Sequence, residues 1–406
     1  MLDLESIIQD FLILDQSING RRLVYLDNAA TTQKPLAVLL ASRHYYEAFN
    51  SNIHRGTHKL ARTATEAFEK ARANVASFLN AATKDEVVFT SGTTAGINLA
   101  AYSLARSGRI AAGDEVLIST LEHHSNIVPW QMLCQQTGAK LKVIPCHDDG
   151  TLDLDAFRAQ LASGRVKILA VTWISNAFGT VNPIREMIRA AHDAGALVLI
   201  DAAQAIAHLP VDVQSLGADF LVFSAHKIYS TTGCGVLWAR ESLLKELPPW
   251  QGGGEMIKEV TFEKTTYNDP PFKFEAGTPN IEGAIALAAA IDYLEEIGLP
   301  AIHEHERDLI RRAADALADI PGIRLYGPDD RSGSLSFNIE GVHHFDLGTL
   351  MDQMGVAVRT GHHCCQPLMA RFGTTGTVRA SFALYNTQSD VDALAEVTRK
   401  AVAMLR

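Results

Sequence analysis

The chain lacks an excess of basic charge: across 406 residues, 36 Lys and Arg stand against 46 Asp and Glu, a formal net charge of -10. That balance argues against broad, sequence-blind nucleic-acid binding, which needs a basic face. Long apolar runs are missing too. The most apolar helical stretch, 281–294, carries Glu282 and Asp292 and falls short of the ~18 apolar residues of a membrane span. The first residues, MLDLESIIQDFLIL, are acidic where a signal peptide would be basic. The expectation is a cytoplasmic protein with neither membrane nor nucleic acid among its partners. Cysteine is scarce: Cys134, Cys146, Cys234, Cys364 and Cys365 make an odd count of five, which argues against a disulfide scaffold. No internal repeat or low-complexity segment is present.

What is there suits a large core. Hydrophobic residues make up 47% of the chain, and the length predicts two or three domains. Seven short apolar runs (86–89, 115–119, 141–145, 166–173, 197–200, 220–223 and 235–238) alternate with helical patterns at 95–106, 126–137, 154–161 and 183–194. Several runs are continuous Val, Ile and Leu, as in strands covered on both faces. This predicts an α/β protein whose large sheet is mostly parallel. The first 25 residues read as an amphipathic helix and a turn at Asn19-Gly20, and 51–79 as helical, with apolar residues at three- and four-residue intervals after Arg62. Around 248–271 a Gly252-Gly253-Gly254 run and a polar, β-prone stretch predict a functional loop or hairpin. A long helix then runs towards Ile297. The last hundred-odd residues form a second α/β unit, with strands at 323–326, 335–339, 356–359 and 378–382 and a helix from Ser389.

Chemistry concentrates at strand ends. The stretch DFLVFSAHKIYS ends a buried strand in Ser224, His226 and Lys227. Lysine there is either a surface residue on a turn or an amine whose desolvation makes it a Schiff-base nucleophile. The run LVLID ends in Asp201, followed by Gln204, and ligands of parallel α/β sheets sit beyond such ends. A carboxylate that can hold a protonated ring nitrogen, beside a Schiff-base lysine, is the pairing pyridoxal phosphate requires. After EVVF, Thr90-Ser91-Gly92-Thr93-Thr94 opens a helix, either as ordinary capping or as a phosphate cradle. His123 and His124 follow EVLISTLE. No third ligand at zinc spacing accompanies them, so no metal is expected. One of the two could stack on a planar cofactor or move protons. Arg359-Thr360-Gly361-His362-His363-Cys364-Cys365 presents thiols beside imidazoles and an arginine, a setting that favours a reactive thiolate. Four consecutive HHCC residues cannot surround one ion. Arg379 is either half of a buried ion pair or a fork for a carboxylate.

Eight segments, YLDNAATTQKP, HRGTH, SGTTAGIN, EHHSNIVPW, DAAQA, SAHK, FEAGTPN and RTGHHC, stand in the order found in cysteine desulfurases. The chain resembles the group II (SufS-like) kind, in the class V aminotransferase family of fold-type I pyridoxal phosphate enzymes. The resemblance implies a large domain at 26–290, a small C-terminal domain at 291–406 carrying the nucleophile loop, and an N-terminal segment, 1–25, packing on the small domain. It implies conversion of L-cysteine to L-alanine with a persulfide left on Cys364, or the same chemistry on L-selenocysteine. Lys227 would form the Schiff base and move the α-proton. Asp201 would hold the pyridine nitrogen, Gln204 the ring oxygen, and catalytic His123 would stack on the ring. Thr93, Thr94, Ser224 and His226 would hold the phosphate, joined by Thr278 from the second subunit of a homodimer. Arg379, with Asn176, would clamp the substrate carboxylate. The persulfide would pass to a sulfur-acceptor protein, supplying iron–sulfur cluster assembly. Cys365 stands where the family has a small residue without a thiol, and the resemblance gives it no role.

Overall fold

Strands apolar on both faces are stable only when helices cover both, and the chain supplies such helices between successive strands. The computed structural model of the chain describes residues 2–406. Its main sheet has seven strands: β1 Val87–Thr90, β2 Glu115–Ser119, β3 Lys140–Ile144, β4 Val166–Thr172, β5 Leu197–Asp201, β6 Phe220–Ser224 and β7 Gly235–Ala239. They lie in the order β1-β7-β6-β5-β4-β2-β3. Strands β2 to β6 pair in parallel, and β7 is inserted antiparallel between β1 and β6. Every residue of β2, β6 and β7 is buried, and each large apolar side chain so placed contributes about 2 kcal/mol. Two hydrophobic clusters cover the two faces. One holds Leu169, Ile200 and Phe223, and the other holds Ile168, Leu199 and Val222.

A second sheet, β8 Ile323–Tyr326, β9 Ser334–Ile339, β10 Arg359–Gly361 and β11 Thr377–Ser381, is antiparallel in the order β8-β9-β11-β10. Its core, with Phe337, Val378 and Leu394, is packed by the helices Leu299–Ala318, His344–Gln353 and Gln388–Leu405. The Gln388–Leu405 helix starts on a capping box between Thr387 and Asp390.

Three local expectations change. The N-terminal helix spans only Leu4–Gln9, because the chain turns to place Phe11 among Tyr229, Tyr293 and Tyr385. The helix expected from Ser51 begins at Lys59, where the His58 Nδ1 accepts the Ala61 N–H at 3.3 Å. The strand expected over 356–359 is divided: Val356–Ala357 pairs in parallel with Val24–Tyr25, whereas β10 pairs with β11. That division aims the loop after β10 at the end of the large sheet. The 252–267 region folds as a hairpin, Ile257–Val260 with Thr265–Tyr267.

Candidate active site

Neighbouring parallel strands β5 and β6 end together, which sets Asp201 and the Ser224–Lys227 turn side by side. Strand β1, separated from β6 by β7, runs into the helix Thr93–Arg106. The helix start comes close to β6 and β7 only because Gly92 and Gly235 have no side chains. A Cβ on Gly235 would sit 2.4 Å from the Gly92 Cα, and one on Gly92 would meet the Ser224 Oγ at 3.2 Å. Gly92 also takes φ +146°, a conformation that favours glycine. At this junction the Thr93 N–H donates to the Ser224 Oγ at 2.8 Å, and the two hydroxyls lie 2.8 Å apart. Hydroxyls and free N–H groups at a helix start make an anion cradle.

A cavity of about 320 Å³ opens over these strand ends, within the size range of small-molecule sites, roughly 300–1,000 Å³. It is lined by Lys227, Asp201, Gln204, His123, Thr93 and Thr94, and also by Ser224, His226, Asn176, Arg379 and Cys364. Thr278 alone among the expected residues lies outside it, exposed just before the helix Ile281–Ile297. A larger cavity of about 910 Å³ runs along residues 301–311 and 329–331. It holds surface ion pairs such as Arg311–Asp308 and no thiol.

Electrostatics distinguish the groups. Burial pushes the Asp201 carboxyl above its usual range, against the Ala203 N–H that it accepts at 2.9 Å and against the charge of Lys227. Burial likewise lowers the Lys227 amine; Asp201 opposes that shift and Arg379 adds to it. Half-buried His123 falls to about 3, chiefly by desolvation and then by Lys227. Its Nδ1 accepts the Ser125 N–H at 3.1 Å, so the neutral ring carries its proton on Nε2. Burial also takes His226 down to about 4. The Gln204 amide donates to the Ala29 carbonyl at 2.9 Å.

The thiols diverge. Cys364 is exposed and reaches the cavity, and it and His363 take left-handed φ values of 56° and 50°. Cys365 is fully buried, donates to the Asn176 Oδ1 at 3.3 Å, and is pushed up to about 12 by desolvation. A neutral, enclosed thiol is a poor nucleophile, so geometry separates two residues that the sequence leaves adjacent. The Asn176 amide also donates to the His363 carbonyl at 2.8 Å, so it braces the thiol loop. Arg379, 2% exposed, donates to the Asn176 carbonyl at 2.9 Å and to Asp27 at 3.2 Å. Its Nε is buried without a partner, which leaves a donor for a ligand.

Sequence reasoning placed Arg359 beside the thiols but not in the cavity that it lines, and it missed Asp27 and Glu122, which stand behind that cavity. Asp27 and Glu122 lie inside motifs already singled out, yet nothing in a linear sequence says that Glu122 is buried or that Asp27 meets two arginines. The donor set fits pyridoxal phosphate: an anion cradle at one end, a buried acid at the other, and a lysine beside them.

A family model described as "Aminotransferase class-V" matches residues 24–394. Over 392 residues the chain is 50% identical to a cysteine desulfurase of Dickeya dadantii, covering 96% of this chain and 95% of that one. It is 50% identical over 405 residues to a probable cysteine desulfurase of Vibrio cholerae, covering all of both. Among solved structures, the cysteine desulfurase CsdA of Escherichia coli, in an S-sulfonic acid form, superposes with a TM-score of 0.92 at 42% identity over the full length of both chains. An apo cysteine desulfurase of Thermococcus onnurineus gives 0.93 at 37% identity, over 100% of this chain and 99% of that one.

Proposed function

Because the chain belongs to the class-V aminotransferase family, among its cysteine desulfurases, we propose that Lys227, Asp201 and Cys364 carry out L-cysteine desulfuration in this protein: alanine is released and sulfur stays on Cys364. The observation that carries the reading is the meeting of those three side chains at one cavity. Pyridoxal phosphate, when bound, supplies the imine and the electron sink that weaken the bonds around the substrate α-carbon.

The protein's own groups do the rest. Ser224, Thr93, Thr94 and His226 bind the phosphate, and Asp201 keeps a proton on the ring nitrogen. Neutral His123 offers a flat face for stacking and an Nε2–H towards the cavity. Arg379 turns its free Nε to the substrate carboxylate. The Lys227 Nζ moves a proton from the substrate α-carbon; its lowered pKa suits a base at neutral pH. Cys364 sulfur bonds to the substrate sulfur as the carbon–sulfur bond breaks, and the three-carbon remainder leaves as alanine after protonation. The exposure of Cys364 suits handover of sulfur to an acceptor protein in the cytoplasm and supply to iron–sulfur cluster assembly. Thr278, exposed and outside its own chain's cavity, suits a homodimer in which it serves the partner's phosphate site.

The test is direct. Purified protein given L-cysteine should release alanine and show a visible absorbance band from the lysine-linked cofactor. Lys227→Ala should lose the band. Cys364→Ala should keep the band and stop sulfur transfer; full turnover in that variant would reject the assignment.

A further inference from the structure

Strand β1 lies at one end of the large sheet, so one of its sides has no neighbouring strand, and backbone groups left bare there need partners. Two side chains supply them. Glu275 Oε1 accepts the Phe89 N–H at 2.7 Å, and Arg72, on the helix Lys59–Phe78, donates from Nη1 to the Val87 carbonyl at 2.8 Å. The same two side chains grip each other, Nη1 to Oε1 at 2.6 Å and Nη2 to Oε2 at 2.9 Å. Both are buried. The rings of Phe68, Phe89 and Phe272 surround the guanidinium, with centroids at 5.2, 4.8 and 5.5 Å. A second carboxylate, Glu69, stands 3.5 Å from Nη2 and is itself held by Lys84 at 2.7 Å. An arginine fork closed on a carboxylate at two points fixes direction as well as distance.

The pair joins two phosphate-binding segments. β1 runs from Phe89 into the helix start that carries Thr93 and Thr94, and Glu275 leads through Gly277 to exposed Thr278. The groups assigned to the cofactor ring, Asp201, Gln204 and His123, stand at or after the ends of β5 and β2 and bond to other partners. We propose that Glu275, held by Arg72, is a positioning residue for the cofactor phosphate. It fixes the end of β1 and the Thr278 segment against each other, and so places contacts that serve the phosphate sites of two subunits. This rests on the cofactor and homodimer readings above and adds what holds their phosphate contacts in place. Loss of the pair weakens recognition of the phosphate and spares recognition of the ring.

Pyridoxal phosphate and pyridoxal, which lacks the phosphate, separate those two effects. The holoenzyme is stripped of cofactor, each compound is titrated back against the visible absorbance band, and the ratio of the two dissociation constants is compared. Wild type should strongly favour the phosphate-bearing compound. Glu275→Gln should cut that preference by about tenfold, as charge-assisted phosphate contacts loosen. Arg72→Lys keeps the charge and loses the fork, and should cut it by at least about threefold. A merely structural role would weaken both compounds alike, so an unmoved ratio in Glu275→Gln overturns the inference. Breaking a buried ion pair is strongly destabilising; should that variant fail to fold, an unmoved ratio in Arg72→Lys overturns it instead. No preference in wild type would reject the phosphate cradle itself, and the inference with it.

Discussion

Glu122 is wholly buried, accepting from the Ser119 hydroxyl, from the Asn126 amide at 2.6 Å and from the Thr172 N–H at 2.9 Å. Desolvation outweighs those donors and raises its carboxyl from 4.5 to about 8. The folded state therefore holds a proton that the unfolded chain has released, and stability falls as pH rises between those two values. Wild type should lose up to about 1 kcal/mol per pH unit from this group. Glu122→Gln, neutral throughout, should flatten that part of the slope in urea titrations from about pH 5 to about pH 8. An unchanged slope would refute the buried neutral acid. Cys365 gives a second residue-scale expectation. Its thiol is enclosed, so Cys365→Ala should form persulfide on Cys364 as before, with stability lowered by about 1 kcal/mol for the lost contact and hydrogen bond, measurable by denaturant midpoint. Legibility at this scale follows type and neighbourhood. Lys227 and Asp201 stand at strand ends and Arg379 within β11, each with an ordinary reading of its own, and only the order of eight segments together singles them out; the structure brings all three to one cavity. Asp27 and Arg359 owe their importance to partners far away in sequence, Asp27 and Arg379 being 352 positions apart, whereas Glu122 is bonded mostly by near neighbours and owes its state to burial.

The element that matters most is the loop after β10. Two consecutive left-handed residues, neither of them glycine, cost backbone energy. The loop is held by specific bonds: the His124 N–H donates to the Cys364 carbonyl at 2.8 Å, the Gln366 N–H to the His124 Nε2 at 3.2 Å, and the Cys364 N–H to the His362 Nδ1 at 3.0 Å. An imidazole accepts only when neutral, and burial together with His362 lowers the His124 pKa as that requires. His124→Leu should leave the Gln366 N–H without its acceptor and slow persulfide formation at saturating L-cysteine by about tenfold, through misplacement of the thiol. The visible band should stay unchanged; stopped-flow and quenched-flow measurements check both. All seven strands of the large sheet were legible, because continuous apolar runs between helical patterns have few alternatives. The division of 356–361 between two sheets was not, since either half pairs equally well by pattern, and tertiary contacts with Val24–Tyr25 decide it. The early end of the first helix has a similar cause in Phe11, which leaves the helical face for an aromatic cluster.

At the scale of the whole molecule, the two sheets supply different parts of one site. The large sheet supplies the amine, the acid and the anion cradle. The small one supplies Arg379, Arg359 and the thiol loop, and Asp27 and Asn176 tie the two together. Placement of Thr278 outside its own cavity predicts a two-chain species by sedimentation, and weakened cofactor retention, about tenfold, in Thr278→Ala as a phosphate contact is lost. A monomer that retains cofactor and activity would contradict the shared site. The central claim is that sulfur from L-cysteine comes to rest on one thiol of two adjacent ones. Purified protein treated with L-cysteine, with free thiols then blocked, digested and sequenced by mass spectrometry, should carry one added sulfur atom on Cys364 and none on Cys365. Sulfur on Cys365, or on neither while alanine accumulates, would contradict it.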